Sequence, residues 1–112
     1  MKLPNGDRAD LGDKLERYSL NPEHPKGKHK ALLFKKRLGI TLANKEQLEQ
    51  ALKQAAIEAD AELYKRDRFG RYYDIKFTLR NDVGSSLILS CWIIRTDEDV
   101  PRLTNTYPIQ TQ

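Results

Sequence analysis

The stretch Tyr73-Asp74-Ile75-Lys76-Phe77-Thr78-Leu79-Arg80 decides the fold class. Its apolar residues take every second position, the period of a strand with one buried and one wet face. Leu63 and Tyr64 fit a partner strand across the turn signal Arg68-Phe69-Gly70, and Asn81-Asp82-Val83-Gly84 marks a second turn. Beyond it, Leu87 to Ile94 is apolar on both parities, which predicts a central strand covered on both faces. A polar turn from Thr96 to Pro101 then leads to a short last strand around Leu103 to Tyr107.

Upstream of these strands the spacing is helical. Leu11, Leu15 and Tyr18 predict a first helix, stopped by Asn21-Pro22. From Lys28 to Leu38, the residues Ala31, Phe34 and Leu38 form one stripe of a second helix, and Gly39 stands where a C-terminal cap belongs. Asn44, with Gln47 three residues on, predicts a capping box for a third helix whose buried face carries Leu48, Ala51, Leu52 and Ala55. The chain, residues 1–112, therefore reads as one α+β unit, with a helical half at about 8–58 and a strand half at about 60–108. Three N-terminal helices are expected to pack on a four-stranded antiparallel meander.

Composition narrows the function classes. Hydrophobic residues at 38% and charged residues at 32% allow a packed core, so disorder of the whole chain is not expected. The apolar runs Leu87 to Leu89 and Cys91 to Ile94 are far too short to span a membrane. Met1 to Asp7 has no apolar stretch suited to a signal peptide. The single cysteine, Cys91, excludes an internal disulfide and a Cys-rich zinc site. It reads as a small buried apolar residue. A cytoplasmic protein with no membrane partner is the expectation.

The formal charge is +4 and the pI near 9.2, which favours anionic partners. Lys26 to Arg37 holds six Lys or Arg and no acid, so the other 100 residues carry 14 basic and 16 acidic groups. Projection at 100° per residue puts Lys30 and Arg37 on one flank of the second helix and Lys28 on the other, with His29 pointing away from the core. Such a block is either an anion site at a helix start or a solvated basic face. His24, between Glu23 and Pro25, carries an imidazole that can exchange a proton near neutral pH, or is simply exposed.

Alternation along the last strand puts Arg102, Thr104 and Thr106 on one face, with Tyr107 beside them. A guanidinium and two hydroxyls suit a phosphate; they equally suit a polar edge strand. That edge also allows a homo-oligomer. The acids are scattered, and Asp97-Glu98-Asp99 reads as a turn, so neither a metal nor another cofactor is expected. There is no Gly-rich phosphate loop, nucleophile elbow or Cys-His pairing suited to a thiol enzyme.

The segment Leu20-Asn21-Pro22-Glu23-His24-Pro25-Lys26-Gly27-Lys28-His29-Lys30-Ala31, with Phe34, Gly39, Trp92-Ile93-Ile94, Pro101-Arg102-Leu103-Thr104 and Tyr107-Pro108, resembles a family of small bacterial proteins of unassigned function. Its members occur alone or as C-terminal toxin domains of polymorphic toxins. That family in turn resembles the barnase, EndoU, colicin and RelE-like superfamily of ribonuclease toxins, in which helices precede an antiparallel sheet.

The resemblance implies a metal-independent ribonuclease toxin of a toxin-antitoxin system, cleaving RNA by general acid-base catalysis through attack of a 2′-hydroxyl. It implies RNA as substrate and a small, acidic antitoxin protein as partner. As residue roles it implies His24 for proton transfer, Lys30 as phosphate ligand or second proton-transfer group, Arg102 for transition-state charge, and Thr104 in support. Lys28 is implied as a further phosphate ligand, with the same alternative role in proton transfer as Lys30, and Tyr107 as a supporting contact; Lys26, His29 and Arg37 of the basic block and Thr106 of the last strand are the other candidate substrate contacts. Leu32 and Leu33 lie off the buried stripe and are either the antitoxin's footing or packed beneath a neighbouring helix. The alternative is a non-catalytic RNA- or protein-binding module of the same fold, which has no cleavage to lose when His24 or Arg102 is replaced.

Overall fold

The computed structural model describes residues 1–109. Three helices precede a four-stranded antiparallel sheet whose strand order follows the sequence. A short one covers Leu15–Ser19, followed by α1 at Lys28–Leu38 and α2 at Glu46–Glu58. The strands are β1 (Ala61–Asp67), β2 (Gly70–Arg80), β3 (Ser85–Arg95) and β4 (Arg102–Ile109).

The first helix departs from the expectation. Instead of a regular helix through Leu11, Leu15 and Tyr18, the chain makes one wide turn in which the amide of Leu20 donates to the carbonyl of Leu15. Leu11, Leu15 and Leu20 are still buried, so the apolar spacing reports burial and not helix length. The second helix begins and ends as the sequence indicates. Gly39 takes a left-handed φ of 64°, and the amides of Gly39 and Ile40 bond back to the carbonyls of Lys35 and Phe34. The capping box sits one turn earlier than expected: the Thr41 amide donates to Asn44 Oδ1 while Thr41 Oγ1 accepts from the Ala43 amide, around the short turn Leu42–Asn44, and α2 starts after it.

Helices and sheet meet in one core. Phe34, Leu38, Leu48, Leu52, Ile75, Ile88 and Trp92 are all at most 1% exposed. Burying a Phe or Leu of this kind stabilises by about 1.5–3 kcal/mol. The indole of Trp92 donates to Ser90 Oγ at 3.0 Å, and that hydroxyl donates to the Ile75 carbonyl at 3.1 Å. The one polar atom of the largest core residue is thereby satisfied.

The helices cover only one side of the sheet. Along β3, Ser86, Ile88, Ser90, Trp92 and Ile94 are buried, while Leu87, Leu89, Cys91 and Ile93 are only partly so. The second cover expected for this strand is absent among the described residues, and its other face belongs to an open sheet surface. A second correction concerns β4. The β3–β4 register shifts between Cys91 and Trp92, so Arg102 pairs with Ile93 on the open face while Thr106 pairs with Ser90 on the core face. A bulge inserts one residue and reverses side-chain parity, and for that reason Arg102, Thr104 and Thr106 do not share a face.

Candidate functional site

The open sheet face has a polar corner at the β4 edge, where α1 begins. Asn105 and Tyr107 share the parity of Cys91 and Leu89, their register partners, and so lie on this face. Lys30, on the first turn of α1, reaches the same corner. Its Nζ donates to Asn105 Oδ1 at 3.3 Å and to Tyr18 Oη at 3.2 Å. It also stands 4.4 Å from the centroid of the Tyr18 ring and 5.0 Å from that of Tyr107. An ammonium has three N–H donors, so one is left for a ligand. Among the described residues no carboxylate lies within ion-pairing distance of Lys30. Its charge is met by these two oxygen acceptors and by the aromatic rings, a cation–π contact being worth about 0.5–2 kcal/mol.

His24 joins this corner through Tyr18, with ring centroids 4.6 Å apart at 53°. Its Nδ1 accepts from the backbone amides of Lys26 and Gly27, both at 3.0 Å. An Nδ1 that accepts leaves the proton of the neutral ring on Nε2. In this arrangement His24 can donate to a ligand through Nε2–H. Gly27 lets these pieces approach, since a Cβ there would stand 2.1 Å from the Tyr18 carbonyl oxygen.

Next to Asn105 across the sheet are Cys91 and, paired with it on β2, Asp74. Burial, followed by the neighbouring Asp74 carboxylate, pushes the Cys91 thiol up to about 12 from 9.0. This cysteine is a protonated, unreactive wall of the site. Burial also raises Tyr107, assisted by Cys91 and Asp74, which keeps its hydroxyl protonated and able to donate. Tyr64 is raised for the same reasons, with burial again the leading cause. Asp74 Oδ1 is buried without a hydrogen-bond partner.

The other sequence candidates are dispersed. Arg102 is held bidentately by Glu98, with Nε–Oε1 at 2.9 Å and Nη2–Oε2 at 2.8 Å, and this pairing raises its pKa. Thr104 Oγ1 donates to the Cys91 carbonyl, and Thr106 is fully buried, donating to the Leu89 carbonyl. Arg37 lies at the far end of α1 and donates to Ser86 Oγ and the Ile109 carbonyl. Lys26 is exposed beside His24. Lys28 and His29 lie on a separate groove of about 520 Å³, which Leu20, Leu32 and Leu42 also line. Leu32 is 52% exposed there, whereas Leu33 is partly buried.

The structure thus brings together His24, Lys30 and Tyr107 from the sequence candidates and adds Tyr18 and Asn105. Tyr18 gives no functional signal in the sequence, because its spacing from Leu15 reads as core. Asn105 lies on the strand whose parity the bulge reverses. No group of three His, Cys, Asp or Glu side chains among the described residues is arranged to hold a metal ion, and no helix there is long and apolar enough to cross a membrane.

Compared with known proteins, residues 2–110 match a family model described as "Domain of unknown function (DUF6883)". No curated protein and no solved structure matches the chain.

Proposed function

The chain belongs to the DUF6883 family, and we propose that it is a metal-independent endoribonuclease acting as the toxin of a toxin-antitoxin pair. The observation that carries this reading is Lys30: a cation without a carboxylate partner, held at an open sheet face by Tyr18, Asn105 and the Tyr107 ring. In the reaction the ribose 2′-oxygen bonds to the adjacent phosphorus as its proton passes to solvent water, and the bond from phosphorus to the 5′-oxygen breaks as that oxygen takes a proton from Tyr107, whose phenolate is then reprotonated from solvent. The products are a 2′,3′-cyclic phosphate and a 5′-hydroxyl. Lys30 neutralises the charge gathering on the non-bridging oxygens, an effect of the kind that supplies about 10²–10³ in rate. Tyr107, kept protonated by burial, donates to the leaving oxygen. His24 contributes its Nε2–H to the phosphate.

Cleavage of RNA in EDTA, with end mapping for 2′,3′-cyclic phosphates, tests this. An inactive but folded protein that still binds RNA would favour the second reading, a non-catalytic RNA-binding module. The observation on its side is that His24 Nδ1 and Arg102 are both already occupied by protein groups.

The acidic antitoxin would seat on the groove beside α1. Its apolar floor of Leu20, Leu32 and Leu42, rimmed by Lys28, His29 and Lys35, suits an apolar side chain flanked by carboxylates. A protein bound there would lie against α1, the helix that carries Lys30, and from that position can block RNA.

A further inference from the structure

At the opposite end of the same open face, the β1–β2 turn carries a second constellation. A cleft of about 650 Å³ is lined by Arg68, Phe69, Tyr72, Ile93 and Arg95, with Asp97 as its one carboxylate. Phe69 is 58% exposed, and the Arg68 guanidinium lies 4.8 Å from its ring centroid. Tyr72 has Lys65 Nζ 4.7 Å from its ring centroid and the Tyr64 ring 6.2 Å away. Among the described residues neither Arg68 nor Arg95 has a carboxylate within ion-pairing distance.

The exposed Phe69 ring beside two guanidiniums that have no carboxylate partner makes the patch attractive to anions with aromatic faces. A nucleotide of single-stranded RNA has both parts. The turn is also stiff enough to be a preformed site, because Asp67 Oδ1 accepts the amides of Phe69 and Gly70. Register places Tyr72 beside Ile93 and Tyr107 beside Leu89, four residues apart on β3 and two strand spacings across. That separation is about 16 Å, a distance a few nucleotides span.

We propose that this end of the sheet is a second contact for single-stranded RNA, in which Phe69 and Tyr72 stack bases and Arg68 and Arg95 hold flanking phosphates. The proposal rests on RNA being the ligand of the Lys30 corner, and it adds a track leading away from it. It assigns the positive charge at the turn a role that the Lys26–Arg37 block does not cover.

The test is the affinity of the full chain for a fluorescein-labelled, 2′-O-methylated 12-nucleotide RNA, which cannot be cleaved by 2′-hydroxyl attack. Phe69→Ala and Arg68→Gln alter exposed turn residues and leave the core intact. Each is expected to weaken binding about tenfold, a typical loss for one stacked base or one phosphate contact. Arg68→Gln should also lower the slope of log K against log salt by about 0.7. Wild-type affinity in both variants, or no binding of this oligonucleotide by the wild type, would overturn the proposal. Because the probe is uncleavable, the result is independent of catalysis: a protein that binds in this way but cuts nothing defeats the ribonuclease reading alone. A protein that cuts RNA with unchanged affinity in both variants defeats the second contact alone.

Discussion

Lys30 Nζ on α1 and Asn105 Oδ1 on β4 meet at 3.3 Å across 75 residues of sequence. The contact requires two separate features to be right. Ala31, Phe34 and Leu38 must seat α1 in the core, and the bulge opposite Cys91 and Trp92 must turn Asn105 to the open face. The candidate site is therefore a product of tertiary packing and register together.

Replacing Lys30 by Gln keeps a donor but removes the charge. Cleavage of RNA should fall by about 10²–10³, the usual loss for a group that stabilises transition-state charge. The midpoint of thermal unfolding should change little, because Lys30 is at the edge of the core and not within it. Initial cleavage rates and a thermal melt on the same preparation check both halves.

The two roles open to His24 separate in a pair of variants. Asn at this position can still accept the Lys26 and Gly27 amides through its side-chain oxygen, as Asn does in turns, whereas Ala cannot. If His24 serves as a proton carrier, both variants lose cleavage, while His24→Asn retains wild-type stability and His24→Ala does not. Retained cleavage in His24→Asn would make the residue a loop cap.

Much of this architecture is legible in the sequence. The Tyr73 to Arg80 alternation, the α1 stripe and the Gly39 cap all follow from local periodicity and local backbone preference, and all reappear in the structure. The shortening of the first helix does not, because Leu11, Leu15 and Leu20 are buried whether or not the chain between them is helical. The β4 bulge is equally invisible, since it depends on how β3 pairs, and without it alternation groups Arg102, Thr104 and Thr106 and leaves Asn105 on the core side. Lys30 and His24 could be named as candidates from charge and residue type. That they converge on Tyr18 could not.

Gly27→Ala should damage the site and the fold together. The added methyl meets the Tyr18 carbonyl, so the wide turn bearing Tyr18 must move away from the start of α1. A loss of at least about 1–3 kcal/mol is expected, in the range for overpacking against a fixed neighbour. Urea unfolding measures it, and cleavage should drop under conditions where the variant is still folded.

Alkaline pH should destabilise the protein through Cys91. The unfolded thiol releases its proton near 9.0 and the folded one near 12, so between these values the unfolded state binds fewer protons and stability falls as pH rises. Tyr64 and Tyr107, also raised, act in the same direction above their ordinary range. Cys91→Ala should therefore flatten the decline of the urea midpoint between pH 9 and 10, while the steeper fall above it persists. The partly buried thiol, held protonated well above pH 8, should also be alkylated more slowly at pH 8 than in the unfolded chain.

Glu98→Gln breaks the bidentate hold on Arg102 without touching the Lys30 corner. Cleavage should stay at the wild-type level. A marked rise would mean that Arg102, once released, enters the reaction.

The most direct measurement is cleavage of a defined single-stranded RNA in EDTA by wild type and by Lys30→Gln, with the ends of every product mapped. The expected result is 2′,3′-cyclic phosphate and 5′-hydroxyl ends from the wild type and loss of these products in a Lys30→Gln protein that melts like the wild type. No cleavage by the folded wild type, or equal cleavage by Lys30→Gln, would contradict the assignment of catalysis to this corner of the sheet.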